Sequence, residues 1–193
     1  MSTATALAKE KVTTIAKVGQ PAPDFDLAST KDMETLAENV RLSDYKGKWL
    51  ILMFYPLDFT FVCPTELTAF SDRIEDFEGI GAEVIGISTD SVHSHRAWLN
   101  TPREENGVAG LQYPLASDIT GEATKNYGVL IDGEGIALRG LFIIDPQGIL
   151  KYQVVHDLNI GRSVDETLRV IQGLQTGGLC AAEWKPGQEN LTV

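Results

Sequence analysis

Cys63 and Cys180 are the two cysteines of this 193-residue chain, and a thiol becomes a strong nucleophile only as the thiolate. The surroundings of Cys63 favour that anion. It follows the apolar run Trp49–Tyr55 and the loop opened by Pro56, and it stands directly before Pro64. Proline suits the first position of a helix, where its missing N–H would have no partner. Unpaired backbone N–H groups and the positive end of a helix dipole stabilise negative charge at such a point. Thr60, three residues earlier, is expected to turn its hydroxyl back toward the sulfur, where it can both donate and accept. Pro56 is expected to restrict the loop and shield the sulfur from bulk water.

Two cysteines far apart do not make a disulfide-stapled secreted fold, which would be smaller and richer in cysteine. There is no CxxC pair and no Cys/His cluster with zinc spacing. The thiols are either small buried hydrophobes or groups with redox work to do. His93 and His95, two apart on a predicted helix, point to different faces, and His156 stands alone; they read as surface or packing residues with no metal role. No metal or other cofactor is expected.

The elements that must position Cys63 follow from periodicity. Trp49–Tyr55 and Ala82–Thr89 are apolar throughout and predict strands buried on both faces. Between them, Leu67, Phe70, Ile74 and Phe77 recur at helical spacing, predicting one helix over 64–77. Further helices are predicted over 90–100 and 120–127. Arg139–Ile144 and Ile149–Val155 predict a hairpin across Asp145-Pro146-Gln147-Gly148, with Pro and Gly where a type I turn takes them. Ser163-Val164-Asp165-Glu166 predicts a capping box opening a helix with Leu168, Ile171 and Leu174 on one face. The order predicts an α/β domain with a central mixed sheet over residues 19–174, an N-terminal leader over 1–18, and a C-terminal arm over 175–193 that carries Cys180.

Composition narrows the function classes. Hydrophobic and charged fractions of 43% and 22% are those of a globular protein, and no apolar stretch is long enough to span a membrane. A formal net charge of −11 repels phosphate backbones and anionic lipid, so neither nucleic acid nor membrane is an expected partner. The first residues lack the apolar core of a secretory signal, and a cytoplasmic location is expected.

The motif Pro56-x-x-x-Thr60-x-x-Cys63 resembles the active-site signature of the peroxiredoxins, and the run Phe54–Glu66 is similar to their typical two-cysteine branch, which includes the peroxidase component of alkyl hydroperoxide reductase. The resemblance extends through Pro21–Phe25, Gly86–Ser91, Arg139–Asp145 and Gly161–Glu166 to Cys180 and Trp184–Gly187. It implies a thioredoxin-like fold and a thiol peroxidase acting on hydrogen peroxide and alkyl hydroperoxides. Cys63 would be the peroxidatic cysteine and Arg139 the arginine beside it. Glu66 and Arg162 would be a supporting ion-pair network, and Cys180 the resolving cysteine supplied by the partner subunit. Thioredoxin or a dedicated flavoprotein reductase would supply electrons, and homodimers would assemble into a decameric ring. A redox-controlled chaperone or peroxide relay is the alternative activity the same cysteines could serve. Leu179-Cys180-Ala181-Ala182 departs from the family's usual Val-Cys-Pro-Ala, after a shortened Gln175–Gly178.

Overall fold

A computed structural model describes residues 15–192. In chain order the first elements are strands β1 (Asp26–Ser29), β2 (Asn39–Arg41) and β3 (Trp49–Phe54), then helices α1 (Val62–Ser71) and α2 (Ile74–Gly79). Strand β4 (Ala82–Ser88), helix α3 (Val92–Leu99), strand β5 (Leu115–Ser117) and helix α4 (Glu122–Asn126) follow. The chain continues with β6 (Leu130–Ile131), β7 (Ile136–Ala137), β8 (Arg139–Ile144), β9 (Leu150–His156) and α5 (Val164–Thr176).

The main sheet runs β2-β1-β5-β4-β3-β8-β9, and β6 pairs with β7 separately. β3 lies parallel to β4 and antiparallel to β8, so the sheet is mixed. Alternation along β3 builds both layers of the core. Leu50, Leu52 and Phe54 join Phe142, Tyr127 and Phe25 on one face, while Ile51, Met53 and Tyr55 join Leu67, Phe70, Trp98 and Ile171 on the other. Cys63, in the first turn of α1, belongs to the second face, in the cluster that also holds Trp98 of α3 and Ile171 of α5.

The long helix predicted over 64–77 is two helices. Gln112 breaks it: its side-chain Nε2 donates to the Ser71 carbonyl at 2.8 Å, taking an acceptor that a continuing helix would use. The Gln112 backbone N–H also donates to Ser71 Oγ at 3.0 Å. Apolar spacing survives the break because Phe70 and Phe77 still stack, 5.5 Å apart.

The predicted turn forms, with Gly148 N–H donating to Asp145 O at 2.8 Å and Gly148 at φ +83°, where a side chain would be strained. Only half of the capping box exists. Ser163 Oγ accepts from Glu166 N at 3.2 Å, but the Glu166 carboxylate turns to Arg169. The short strands β1, β2 and β5 had no clear alternating pattern and were not predicted. Residues 1–14 of the predicted leader lie outside the described residues. Ala16 is already packed into the core, its N–H donating to Asn126 O at 2.8 Å.

Candidate active site

Cys63 is fully buried at the second position of α1, since the helix opens at Val62 with Phe61 as its N-cap. Pro64 therefore stands at the third position of the helix, two past the first position expected of it, but still within the first turn, where no intrahelical acceptor is missed. The N-cap makes no side-chain hydrogen bond, so the first N–H groups of α1 are left without a capping side chain.

The sulfur's charged neighbour comes from the far end of the sequence. Arg139, the first residue of β8, donates from Nη1 to Cys63 Sγ at 3.3 Å and to Glu66 Oε2 at 2.6 Å. Its Nε donates to Leu158 O at 2.9 Å, which fixes the guanidinium plane. Glu66, one helical turn after Cys63, also receives Arg162: Nε and the backbone N–H reach Oε1 at 2.7 and 2.8 Å, and Nη2 reaches Oε2 at 3.1 Å. Arg162 Nη1 donates to the carbonyls of Phe54 and Gly140 at 2.7 and 2.6 Å, joining the ends of β3 and β8. Gly161 allows this approach, because a Cβ there would stand 3.2 Å from Glu66 Cγ.

All three charged side chains are buried. Burial pushes the Glu66 carboxyl up, but the charge and hydrogen bonds of Arg162, aided by Arg139, outweigh it and hold Glu66 below its ordinary value of 4.5. Two guanidinium groups against one carboxylate leave this cluster one positive charge in excess, and an anion on the Cys63 sulfur would balance it.

Thr60 does not reach the sulfur as expected. Its hydroxyl donates to Leu57 O at 3.0 Å, closing the loop on itself. Pro56 is buried two residues past the end of β3. Cys180 makes no contact with Cys63. It lies half-buried against the C-terminal end of α5, so the structure assembles Cys63, Glu66, Arg139 and Arg162 and leaves Cys180 apart.

A second polar network under the same loop was not anticipated. Asp58 is buried and accepts from Tyr55 Oη at 2.9 Å and Ser94 Oγ at 2.8 Å, while His95 Nδ1 lies 2.9 Å from its Oδ2. The Asp58 N–H donates to Asp90 Oδ2 at 3.0 Å. Burial, with Asp58 nearby, pushes the Asp90 carboxyl up. These bonds hold the loop in a conformation that places Phe59 at φ +55°, a left-handed geometry costing a non-glycine residue about 1–2 kcal/mol. His95 is thus a buried member of this polar network and His93 an exposed residue. The clue available in sequence was a carboxylate, Asp58, inside an otherwise apolar loop. Among the described residues no group of three His, Cys, Asp or Glu side chains could hold a metal, and no helix is long and apolar enough to cross a membrane.

The model of the AhpC/TSA family matches residues 18–153. Rat peroxiredoxin-2 is 52% identical over 180 residues, covering 91% of this chain and 90% of that protein. The chloroplastic 2-Cys peroxiredoxin of Hordeum vulgare is 55% identical over 179 residues, covering 90% of this chain and 84% of its own length. The crystal structure of the reduced Plasmodium vivax 2-Cys peroxiredoxin superposes with a TM-score of 0.85 at 39% identity, over 90% of this chain and 91% of that one. The mixed sheet and its helices therefore form the thioredoxin-type fold of these proteins, and the chain belongs to the AhpC/TSA family as a peroxiredoxin, a thiol-dependent peroxidase.

Proposed function

We propose that Cys63 is the peroxidatic residue and Cys180 the resolving one. The observation that carries this is the buried Arg139 guanidinium, 3.3 Å from the Cys63 sulfur and held in place by Glu66 and the Leu158 carbonyl. A guanidinium so placed stabilises a thiolate and offers N–H groups to the oxygens of an approaching peroxide. Glu66 and Arg162 act through Arg139 and α1 as positioning residues, and Pro56 and Thr60 shape the loop.

In the first step the Cys63 thiolate attacks one peroxide oxygen and the O–O bond breaks. The departing oxygen takes up a proton and leaves as water or an alcohol, and Cys63 becomes a sulfenic acid. Cys180 of the partner subunit then attacks that sulfur, forming a disulfide and releasing water. A dithiol donor, thioredoxin or a flavoprotein disulfide reductase, returns both thiols by exchange. Separation of the two cysteines within one chain supports resolution between subunits. Strand β9, at the edge of the sheet with Val155 exposed, offers an unpaired face for a homodimer, which the resemblance extends to a decamer. We place the enzyme in the cytoplasm, with a core over 19–174 and the resolving arm over 175–193. Nothing in the comparisons favours the chaperone or relay activity.

The test is peroxide consumption with thioredoxin and with a flavoprotein reductase assayed in parallel, alongside non-reducing electrophoresis. The parent enzyme turns over and yields a disulfide-linked dimer. Rapid first-turnover oxidation in a Cys63→Ser variant would overturn the assignment.

A further inference from the structure

The arm that carries Cys180 is a closed structure with its own hydrogen bonds. Trp184 is buried against α5, its indole N–H donating to Gln188 O at 3.1 Å while Arg169 Nη1 donates to its carbonyl at 3.3 Å. The last residues then fold back: Leu191 N–H donates to Leu179 O at 2.8 Å, forming a β-bridge directly beside Cys180. That bridge brings Asn190 over the sulfur.

Three oxygens surround the thiol. Gly173 O and Asn190 Oδ1 each lie 3.6 Å from Sγ, and Thr176 Oγ1 lies 3.7 Å away. The Thr176 hydroxyl already donates to Gly173 O at 2.8 Å, so all three oxygens are acceptors toward the sulfur. The contact surfaces are closely fitted. A Cβ on Gly173 would stand 3.4 Å from Cys180 Sγ, and one on Gly178 would stand 2.0 Å from Asn190 Nδ2. Only a residue without a Cβ at 178 leaves the Asn190 amide its place.

We propose that Asn190, seated over Gly178, is a latch that holds the Cys180 sulfur against the end of α5 and sets how readily it leaves to meet oxidised Cys63. This rests on Cys180 being the resolving thiol. Disulfide formation joins Cys63 Sγ to Cys180 Sγ, breaks the S–O bond of the sulfenic acid and releases water. Sγ must leave Gly173, Thr176 and Asn190 before that bond can form. Two of those partners belong to α5 itself; Asn190 is held by the bridge that closes the arm and by its seat on Gly178. Releasing it opens the cradle without unfolding the helix. A slow release gives a second peroxide time to convert the sulfenic acid to sulfinic acid, so Asn190 is a positioning residue for the choice between recycling and inactivation.

The first measurement uses the full chain carrying Cys63→Ser, in which Cys180 is the single thiol. Cys180 borders an open cleft of about 520 Å³, so iodoacetamide reaches it at a measurable baseline rate. Asn190→Ala should raise that alkylation rate about fivefold, the change expected for losing one hydrogen-bonded contact. Gly178→Ala should raise it similarly, because the new methyl displaces the Asn190 amide. Unchanged alkylation in both alanine variants overturns the latch.

The second measurement keeps both cysteines and compares sulfinic acid on Cys63 with disulfide after many peroxide turnovers, by mass spectrometry. Asn190→Ala should lower the sulfinic fraction about threefold relative to the parent, in line with faster release. Faster alkylation with an unchanged sulfinic fraction overturns the gating role. Absence of any Cys63–Cys180 disulfide in the parent instead defeats the assignment of Cys180 on which the latch depends, and does so independently of the alkylation result.

Discussion

The two sulfurs of this enzyme are held in opposite ways. Cys63 is fully buried in the first turn of α1, bonded to an arginine whose own partners are buried. Cys180 is half-buried in an arm of turns, bounded by neutral oxygens at 3.6–3.7 Å. Buried charge pairs have well-defined positions because losing either partner strands the other in a low dielectric. Neutral contacts to sulfur are weak and can be exchanged for water at little cost. The difference matches the two jobs: a peroxide must find a fixed thiolate and a fixed N–H donor, whereas the resolving thiol must be able to travel.

The sharpest way to break this comparison is to remove each sulfur. Cys63→Ser should abolish peroxide consumption, while Cys180→Ser should still oxidise Cys63 once but form no disulfide-linked dimer, as read by single-turnover kinetics and non-reducing electrophoresis. Equal losses of the first oxidation would erase the distinction between fixed and travelling sulfur.

Removing a charged partner at each end should give very unequal stability changes. Arg162→Ala leaves Glu66 with Arg139 alone and frees the carbonyls of Phe54 and Gly140, and should cost about 3–5 kcal/mol in denaturant unfolding. Arg169→Ala in α5, beside the arm, removes a pair with Glu166 whose side chains are 32% and 45% exposed, and should cost about 1 kcal/mol or less.

Arg139→Met keeps much of the volume at the sulfur and removes the donor. Peroxide reduction should slow about a hundredfold, the scale for losing one preorganised donor to a reacting oxygen. Alkylation of Cys180 should not change. A peroxide rate within twofold of the parent would show that the start of α1 suffices without the arginine.

The smallest effect expected is in acid. The Glu66 carboxyl is held below its ordinary value of 4.5 in the folded state, so it stabilises the fold above that value and this stabilisation is lost as pH falls through the lower folded value. Unfolding free energy should therefore decline more steeply below about pH 4.5 in the parent than in Glu66→Gln, which has no proton to take up there. Parallel pH profiles would mean that Glu66 is paired as strongly in the unfolded chain.

The strands β3 and β4, the hairpin β8–β9 and the opening of α5 at Ser163 were legible because each is written locally, as an apolar run, a Pro–Gly turn or a capping hydroxyl. The division of the helix expected over 64–77 into two was not legible, because its interruption comes from Gln112, which no local pattern connects to Ser71. Thr60 shows the same limit: its position three residues before Cys63 permitted a bond to the sulfur, but the folded loop offered its hydroxyl the nearer carbonyl of Leu57.

By itself the sequence determined that Cys63 would stand where a buried strand passes to a helix, since apolar runs, prolines and residue spacing act over a few residues. It also marked Arg139, Glu66 and Arg162 through resemblance, without any physical reason visible in their neighbours. Only the tertiary structure decided that these three meet around the Glu66 carboxylate with Arg139 reaching the sulfur, that Asp58 ties the loop to Tyr55, Ser94 and His95, and that Asn190 closes over Cys180. Hydrogen bonds and ion pairs of this kind join residues far apart in the chain, and they exist only after burial removes the water that would otherwise satisfy each group separately.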